Sequence, residues 1–293
     1  MAWWQFSLNC QASELEQVEN LMMGLGALSI TLSDAGDEPI YEPLPGENPV
    51  WQESVVAATF AGADDHEQIY QQMARQLPDH LASGIRLSTL EDQDWEQAYK
   101  QHFQPLQCAP NLWIVPSWLE APDPDATVIQ LDPGLAFGTG GHATTALCLA
   151  WLGNSQQEFE NVIDYGCGSG ILAIAVIKLG ARNAIAVDID PQALVSCRSN
   201  MLVNGTDSGQ IQVVTPNELD TPPSDLVIAN ILAGPLVDLA SRFADLVRPG
   251  GHILLSGILE TQLQDILLAY KPYFELDPAI TRDEWVCVSG TRL

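Results

Sequence analysis

The stretch VIDYGCGSGIL at residues 162–172 restricts the fold of this chain more than any other. An apolar run of strand character ends in a turn with glycine at every second position, Gly166, Gly168 and Gly170. An apolar run of helical character follows at once. Glycines in such a turn permit positive φ and let a ligand approach the backbone closely. The helix start presents N–H groups without intrahelical partners to an anion. A second strand-like run, residues 184–187, leads into Asp188, 22 residues past Gly166. A carboxylate there accepts both hydroxyls of an adenosine ribose in Rossmann-like sheets. Either half alone is a weak signal. In strand–turn–helix–strand order they specify a parallel α/β sheet with a nucleoside site at the C-terminal ends of its strands.

The later sequence agrees with such a sheet. From about residue 127, β-like runs at 162–164, 184–187, 211–214, 226–229 and 253–255 alternate with helical runs. That alternation implies parallel strands with helices on both faces. Runs at 273–276 and 285–289 close the chain with no helix between them, which implies a terminal hairpin. The apolar run after Ser224 delivers Asn230 to a strand end, the edge where open α/β sheets hold ligands. An asparagine there either holds an amino group through its side-chain oxygen or caps a turn, and position alone does not choose. Residues 131–145 carry Gly134, Gly138, Gly140 and Gly141, then Thr144 and Thr145 ahead of an apolar helix. They read as a loop folding over the nucleoside ligand, with Thr145 close to it, or as a turn-rich linker. His142 has no carboxylate at a fixed spacing and receives no acid–base role.

The first ninety residues differ in kind. Strand-like runs at 3–10, 27–32, 55–60 and 85–90 alternate with helical patterns starting at the Ser13-Glu14-Leu15-Glu16 capping box and at 64–77. The order β-α-β-β-α-β is that of a ferredoxin-like split βαβ unit. Residues 34–49 read as a loop and 92–103 as a connecting helix. The expected organisation is a small α+β domain at 1–91, a linker at 92–110 and a Rossmann-like domain at 111–293.

Charge and cysteine usage exclude several functions. The 293 residues carry 38 acidic and 11 basic side chains, for a net charge of −27. A free-standing nucleic-acid binder needs cations to neutralise phosphates. This chain has three lysines, Lys100, Lys178 and Lys271, and no basic cluster. Direct binding to nucleic acid or to an anionic membrane is not expected. A basic partner is favoured, because opposite charge steers encounter; the same charge also serves plain solubility. Residues 1–95 hold 16 acids against 2 bases, about twice the charge density of the remainder. The six cysteines form no C-x-x-C and sit at no zinc spacing with a histidine. No metal is expected, and reduced cysteines without a signal sequence imply a cytoplasmic protein.

The spacing G-x-G-x-G is tighter than the G-x-G-x-x-G of dinucleotide sites. DYGCGSG resembles motif I of the Rossmann-like S-adenosylmethionine-dependent methyltransferases, and IDIDP resembles their acidic ribose site. Their seventh strand is inserted antiparallel, which suits the terminal hairpin. DPGLAFGTG, DYGCGSG and NILAGPL together resemble the ribosomal protein methyltransferase family that modifies large-subunit protein eleven, the stalk-base protein. EPLPGE at 42–47, Asp94-Trp95 and Phe103-x-Pro105 fit the same family. The resemblance spans the whole chain. It implies a seven-stranded methyltransferase domain, an N-terminal substrate-recognition domain, and N-methylation of lysine side chains and a terminal α-amine with S-adenosylmethionine as donor. Its cofactor contacts fall on Thr145, Gly166, Asp188 and Asn230. Asn230 would also position the amine, with no acid or base assigned. Nothing demands more than a monomer. The chain departs from the family at Gly141, usually Thr, and at Ala143, often Pro, which implies a more mobile loop. Other readings of the same residues are a methyltransferase for another protein or a small molecule, an RNA methyltransferase, a non-catalytic cofactor-binding assembly factor, and a dehydrogenase.

Overall fold

The computed structural model describes residues 3–36, 50–90, 103–132 and 141–293. The EPLPGE motif, the expected connecting helix at 92–103 except its last residue, and all of DPGLAFGTG but Asp132 lie outside them. The chain divides into two compact units, Met1–His102 and Phe103–Leu293.

The first unit runs β1 (Trp3–Gln11), α1 (Leu15–Gly24), β2 (Ser29–Asp34), β3 (Glu53–Phe60), α2 (His66–Gln76), the short α3 (Asp79–Ala82) and β4 (Arg86–Leu90). Its strands lie in the order β2-β3-β1-β4, every neighbour antiparallel. Alternate residues Phe6 and Leu8 of β1 and Val56, Ala58 and Phe60 of β3 face Val18, Met22 and Met73 in one core. Helix α1 ends in a Schellman motif: Ala27 N–H reaches Met22 O and Gly26 N–H reaches Met23 O, with Gly26 at φ +97°. Its start differs from the expected capping box. Glu14, not Ser13, takes the cap position, and no side chain caps the helix. The Glu14 carboxylate is drawn elsewhere, to the Gln11 N–H at 3.1 Å and the His80 ring at 2.7 Å.

The second unit opens with a small sheet of β5 (Leu106–Ala109), β6 (Leu112–Val115) and β7 (Thr127–Gln130). Then follow α4 (Ala143–Asn154), β8 (Asn161–Tyr165), α5 (Ile171–Lys178), β9 (Asn183–Val187), α6 (Pro191–Val203), β10 (Ile211–Val214) and β11 (Ser224–Asn230). The chain continues through α7 (Ala233–Asp238), α8 (Ala240–Leu246), β12 (Val247–Leu259), α9 (Leu263–Tyr270), β13 (Phe274–Leu276), β14 (Ile280–Arg282) and β15 (Trp285–Arg292). The main sheet has the order β10-β9-β8-β11-β12-β15-β13, with β14 also paired to β15. Strands β8 to β12 run parallel, and β15 lies antiparallel to β12. Eight strands are present where seven are expected, because β13 and β14 pair with opposite ends of β15.

Both faces of this sheet are covered, so its central strands read as unbroken apolar runs such as Leu226–Val227–Ile228–Ala229, all buried. On one face, α4 and α5 pack Leu149, Ile171 and Ile174; on the other, Leu236, Phe243 and Tyr270 do the same. Strand order reverses between β8 and β11. The crevice at their C-terminal ends is thus the topological switch point. No helix among the described residues is long and apolar enough to cross a membrane.

Candidate active site at the switch point

The glycine-rich turn leaves β8 at Gly166, with φ +80°, and enters α5 at Gly170, with φ +78°. At Gly166 a side chain is excluded twice over. The φ is left-handed, and a Cβ would collide with Cγ2 of Ile231, the residue after Asn230. The turn is tied to β9 by three hydrogen bonds. Gly166 and Cys167 N–H both donate to Val187 O, at 2.7 and 3.0 Å. Gly168 N–H donates to Oδ2 of Asp188 at 2.9 Å, while Oδ1 of Asp188 accepts from Asp190 N–H at 2.9 Å. Each oxygen keeps a second lone pair.

Asp164 lies beneath the turn and is 1% exposed. Its Oδ2 accepts the Ala173 N–H at 3.0 Å. Gly170, the cap residue of α5, has no side chain, so a carboxylate from β8 supplies the missing cap. Oδ1 of Asp164 has no hydrogen-bond partner. Burial pushes this carboxyl up to about 7; the Ala173 bond opposes the shift and the Asp188 charge adds to it.

Across the crevice, β11 delivers Asn230, whose Nδ2 donates to Thr145 Oγ1 at 3.2 Å. Thr144 and Thr145 lie inside the first turn of α4, not before it as the sequence pattern reads. His142 occupies the cap position and its ring nitrogen accepts the Thr144 N–H. The buried Ser256 hydroxyl of β12 donates to Thr144 O at 3.1 Å. A largely apolar cavity of about 300 Å³ opens here, lined by His142, Thr144, Asn230, Leu232, Gly257 and Trp285 among others. Trp285 meets the His142 ring edge-on at 5.0 Å. Gly257 sits in a bulge between β12 and β15, where a Cβ would strike the Ile231 backbone.

All four expected contact residues therefore gather at one sheet edge. Asn230 and Thr145 touch directly, Gly166 abuts the residue after Asn230, and Asp188 joins the turn through Gly168. Thr144, Gly257 and Trp285 are additions. Trp285 lies 55 residues after Asn230 in no recognisable motif, and only the antiparallel insertion of β15 brings it to the cavity.

The family whose sequence model matches residues 2–293 is "Ribosomal protein L11 methyltransferase (PrmA)". The chain belongs to the ribosomal protein L11 methyltransferase family. It is 46% identical over 292 residues to the ribosomal protein L11 methyltransferase of Nitrosococcus oceani, covering 100% of both chains. It is 45% identical over 309 residues to that of Psychrobacter arcticus, covering 99% of each. Among solved structures, ribosomal protein L11 methylase from Lactobacillus delbrueckii subsp. bulgaricus aligns with a TM-score of 0.58 at 32% identity. That alignment covers 65% of this chain and 99% of the other. The methyl donor of this methyltransferase is S-adenosylmethionine. The residues present fit it: each Asp188 oxygen beside the glycine turn keeps a lone pair for a ribose hydroxyl, and a largely apolar cavity opens beside Asn230.

Proposed function

We propose that the chain methylates amines of ribosomal protein L11, namely lysine side chains and the terminal α-amine. The observation that carries this reading is the cavity beside Asn230: nearly apolar, with a single amide and a threonine hydroxyl as its polar side-chain groups among the described residues apart from His142 and Trp285. S-adenosylmethionine supplies a methyl group already activated on a sulfonium. In the proposed site the turn from Gly166 to Gly170 cradles the donor, Asp188 takes its ribose hydroxyls, and Thr145 and Asn230 hold its amino-acid end. Asn230 also aims the acceptor amine.

A lysine ammonium, with an ordinary pKa of about 10.4, must lose a proton before it attacks. The apolar walls disfavour the charged form, so the cavity itself promotes the neutral amine, and water carries the proton away. Orientation of the neutral amine then does most of the protein's part, an effect that reaches about 7–11 kcal/mol at best. L11 is a basic protein in this reading, and the acidic N-terminal unit steers it electrostatically and recognises it. The enzyme acts as a cytoplasmic monomer and contacts no nucleic acid itself.

The test uses the purified full chain, labelled S-adenosylmethionine and dissociated large ribosomal subunits, with label traced separately into protein and RNA. Label on lysine or α-amino groups of L11 is the expected result. Label on RNA or on another protein rejects the substrate, and cofactor binding without any transfer rejects the activity.

A further inference from the structure

Nδ1 of His142 accepts the Thr144 N–H at 3.4 Å. A ring nitrogen that accepts a backbone N–H carries no proton of its own. The Thr144 hydroxyl, 2.9 Å from that same nitrogen, is therefore the donor of the pair. Thr144 lines the cavity, and since a hydroxyl has one hydrogen, its Oγ1 has only lone pairs left for a ligand that reaches it. Asn230 is oriented from the other side of the crevice. Its Nδ2 faces Thr145 Oγ1, which turns Oδ1 away as a second acceptor. A neutral primary amine has two N–H donors and one lone pair. Two fixed acceptors consume both donors and leave the lone pair with one direction.

We infer that Thr144 is a catalytic hydrogen-bond acceptor for the substrate amine, paired with Asn230, and that His142 is the positioning residue that holds its hydroxyl in the accepting orientation. This rests on amine methylation at the same cavity, as proposed above. His142 is not the base in this account. Its Nδ1 is engaged by the Thr144 N–H and hydroxyl within the first turn of α4. Each transfer forms one N–C bond, breaks one S–C bond with its electron pair passing to sulfur, and releases one amine proton to water. The acceptor thus offers two N–H groups before the first methyl, one before the second and none before a third. The contribution of Thr144 falls in the same order.

The experiment measures the rate of each successive methyl on L11 by mass spectrometry, together with donor affinity by calorimetry. Thr144→Val keeps the shape and removes the acceptor. It is expected to lower kcat for the first methyl about 10- to 100-fold, the worth of one hydrogen bond to a charged or developing charge. KM for L11 and the affinity for S-adenosylmethionine stay within about twofold, and the slowing shrinks at the second methyl. Thr144→Ser restores the rate. His142→Asn still caps the helix and accepts the hydroxyl, and is expected to retain most activity, whereas His142→Ala matches Thr144→Val. The His142 pair decides the matter if the valine variant does not fold. Wild-type kcat in Thr144→Val, equal slowing of every methyl, or equal rates for His142→Asn and His142→Ala overturns the inference while leaving amine methylation standing. A wild-type enzyme that labels no L11 amine removes both.

Discussion

The two edges of the parallel sheet are built from similar materials and finished differently. At the N-terminal edge, Asp225 at the start of β11 accepts from Glu160 N–H at 3.0 Å, Asn161 N–H at 2.8 Å and Arg248 Nε at 2.6 Å. Burial pushes its carboxyl up, and Arg248 with the two N–H groups outweighs that and holds it below the usual value. At the C-terminal edge, Asp164 near the end of β8 has one bond and one oxygen without a partner. A cavity of about 280 Å³ lies at the N-terminal edge, beside Asn161 and Asn183, against about 300 Å³ at the other. Size does not separate the edges. Completeness does: Asp225 closes its hydrogen bonds within the protein, whereas Asp164 keeps an oxygen without a partner and each Asp188 oxygen keeps a second lone pair.

The largest break in this contrast is expected at Asn230. Asn230→Ala removes the amide that orients the amine and should lower kcat about 10²–10³-fold, as loss of one preorganised polar group does. Its thermal midpoint should move little, because a single 3.2 Å bond to Thr145 is all that tethers the side chain. Wild-type turnover in that variant would end the assignment.

Asp225→Ala tests the other edge. It strips partners from two backbone N–H groups and from Arg248 and should cost about 1–3 kcal/mol of stability in denaturant titrations. Affinity for S-adenosylmethionine should not change. Loss of donor binding with stability intact would mean that the N-terminal edge also serves the ligand.

Asp164→Asn probes the incomplete carboxylate through pH. With a native value of about 7 against the ordinary 3.8, native Asp164 holds a proton between those values while the unfolded chain does not. Wild-type stability therefore falls as pH rises through this window, by at most about 1.4 kcal/mol per unit. The asparagine variant lacks that slope. Its stability relative to wild type should climb from about pH 4 to 7 and then level off. A difference independent of pH contradicts the buried, underbonded state of this group.

How much of this is visible in the sequence follows from how local each signal is. The turn at Gly166, Asp188 just past the end of β9 and Asn230 at the end of β11 are each fixed by a short run of neighbours, and all were legible. The cap of α5 was not, because Gly170 is served by Asp164 from β8, six residues back and across the turn. The partnership of Thr144 with His142 was missed for a related reason: the threonines read as loop residues until α4 is seen to start at Ala143. Trp285 reaches the cavity only through strand insertion, which no spacing announces. The capping box at Ser13 failed in the opposite direction. The local motif is complete, yet Glu14, which the box does not use, takes the cap position, and its carboxylate goes to the Gln11 N–H and the His80 ring.

The smallest expected effect concerns how α4 begins. His142 at the cap has ψ 140°, an extended conformation that a following proline accepts. Ala143 is the first helical residue, where the helix offers its N–H no partner and proline's fixed φ is already suitable. Ala143→Pro should therefore stabilise the second unit by about 0.4–1 kcal/mol, through restriction of the unfolded chain. The same change stiffens the approach to Thr144 and Thr145 without touching either side chain. If the open edge owes its function to acceptors held in place, kcat should hold or rise as stability rises. If turnover falls while stability rises, motion of residues 141–145 is part of the catalytic cycle, and the contrast between the edges is then one of mobility as well as of unfilled hydrogen bonds.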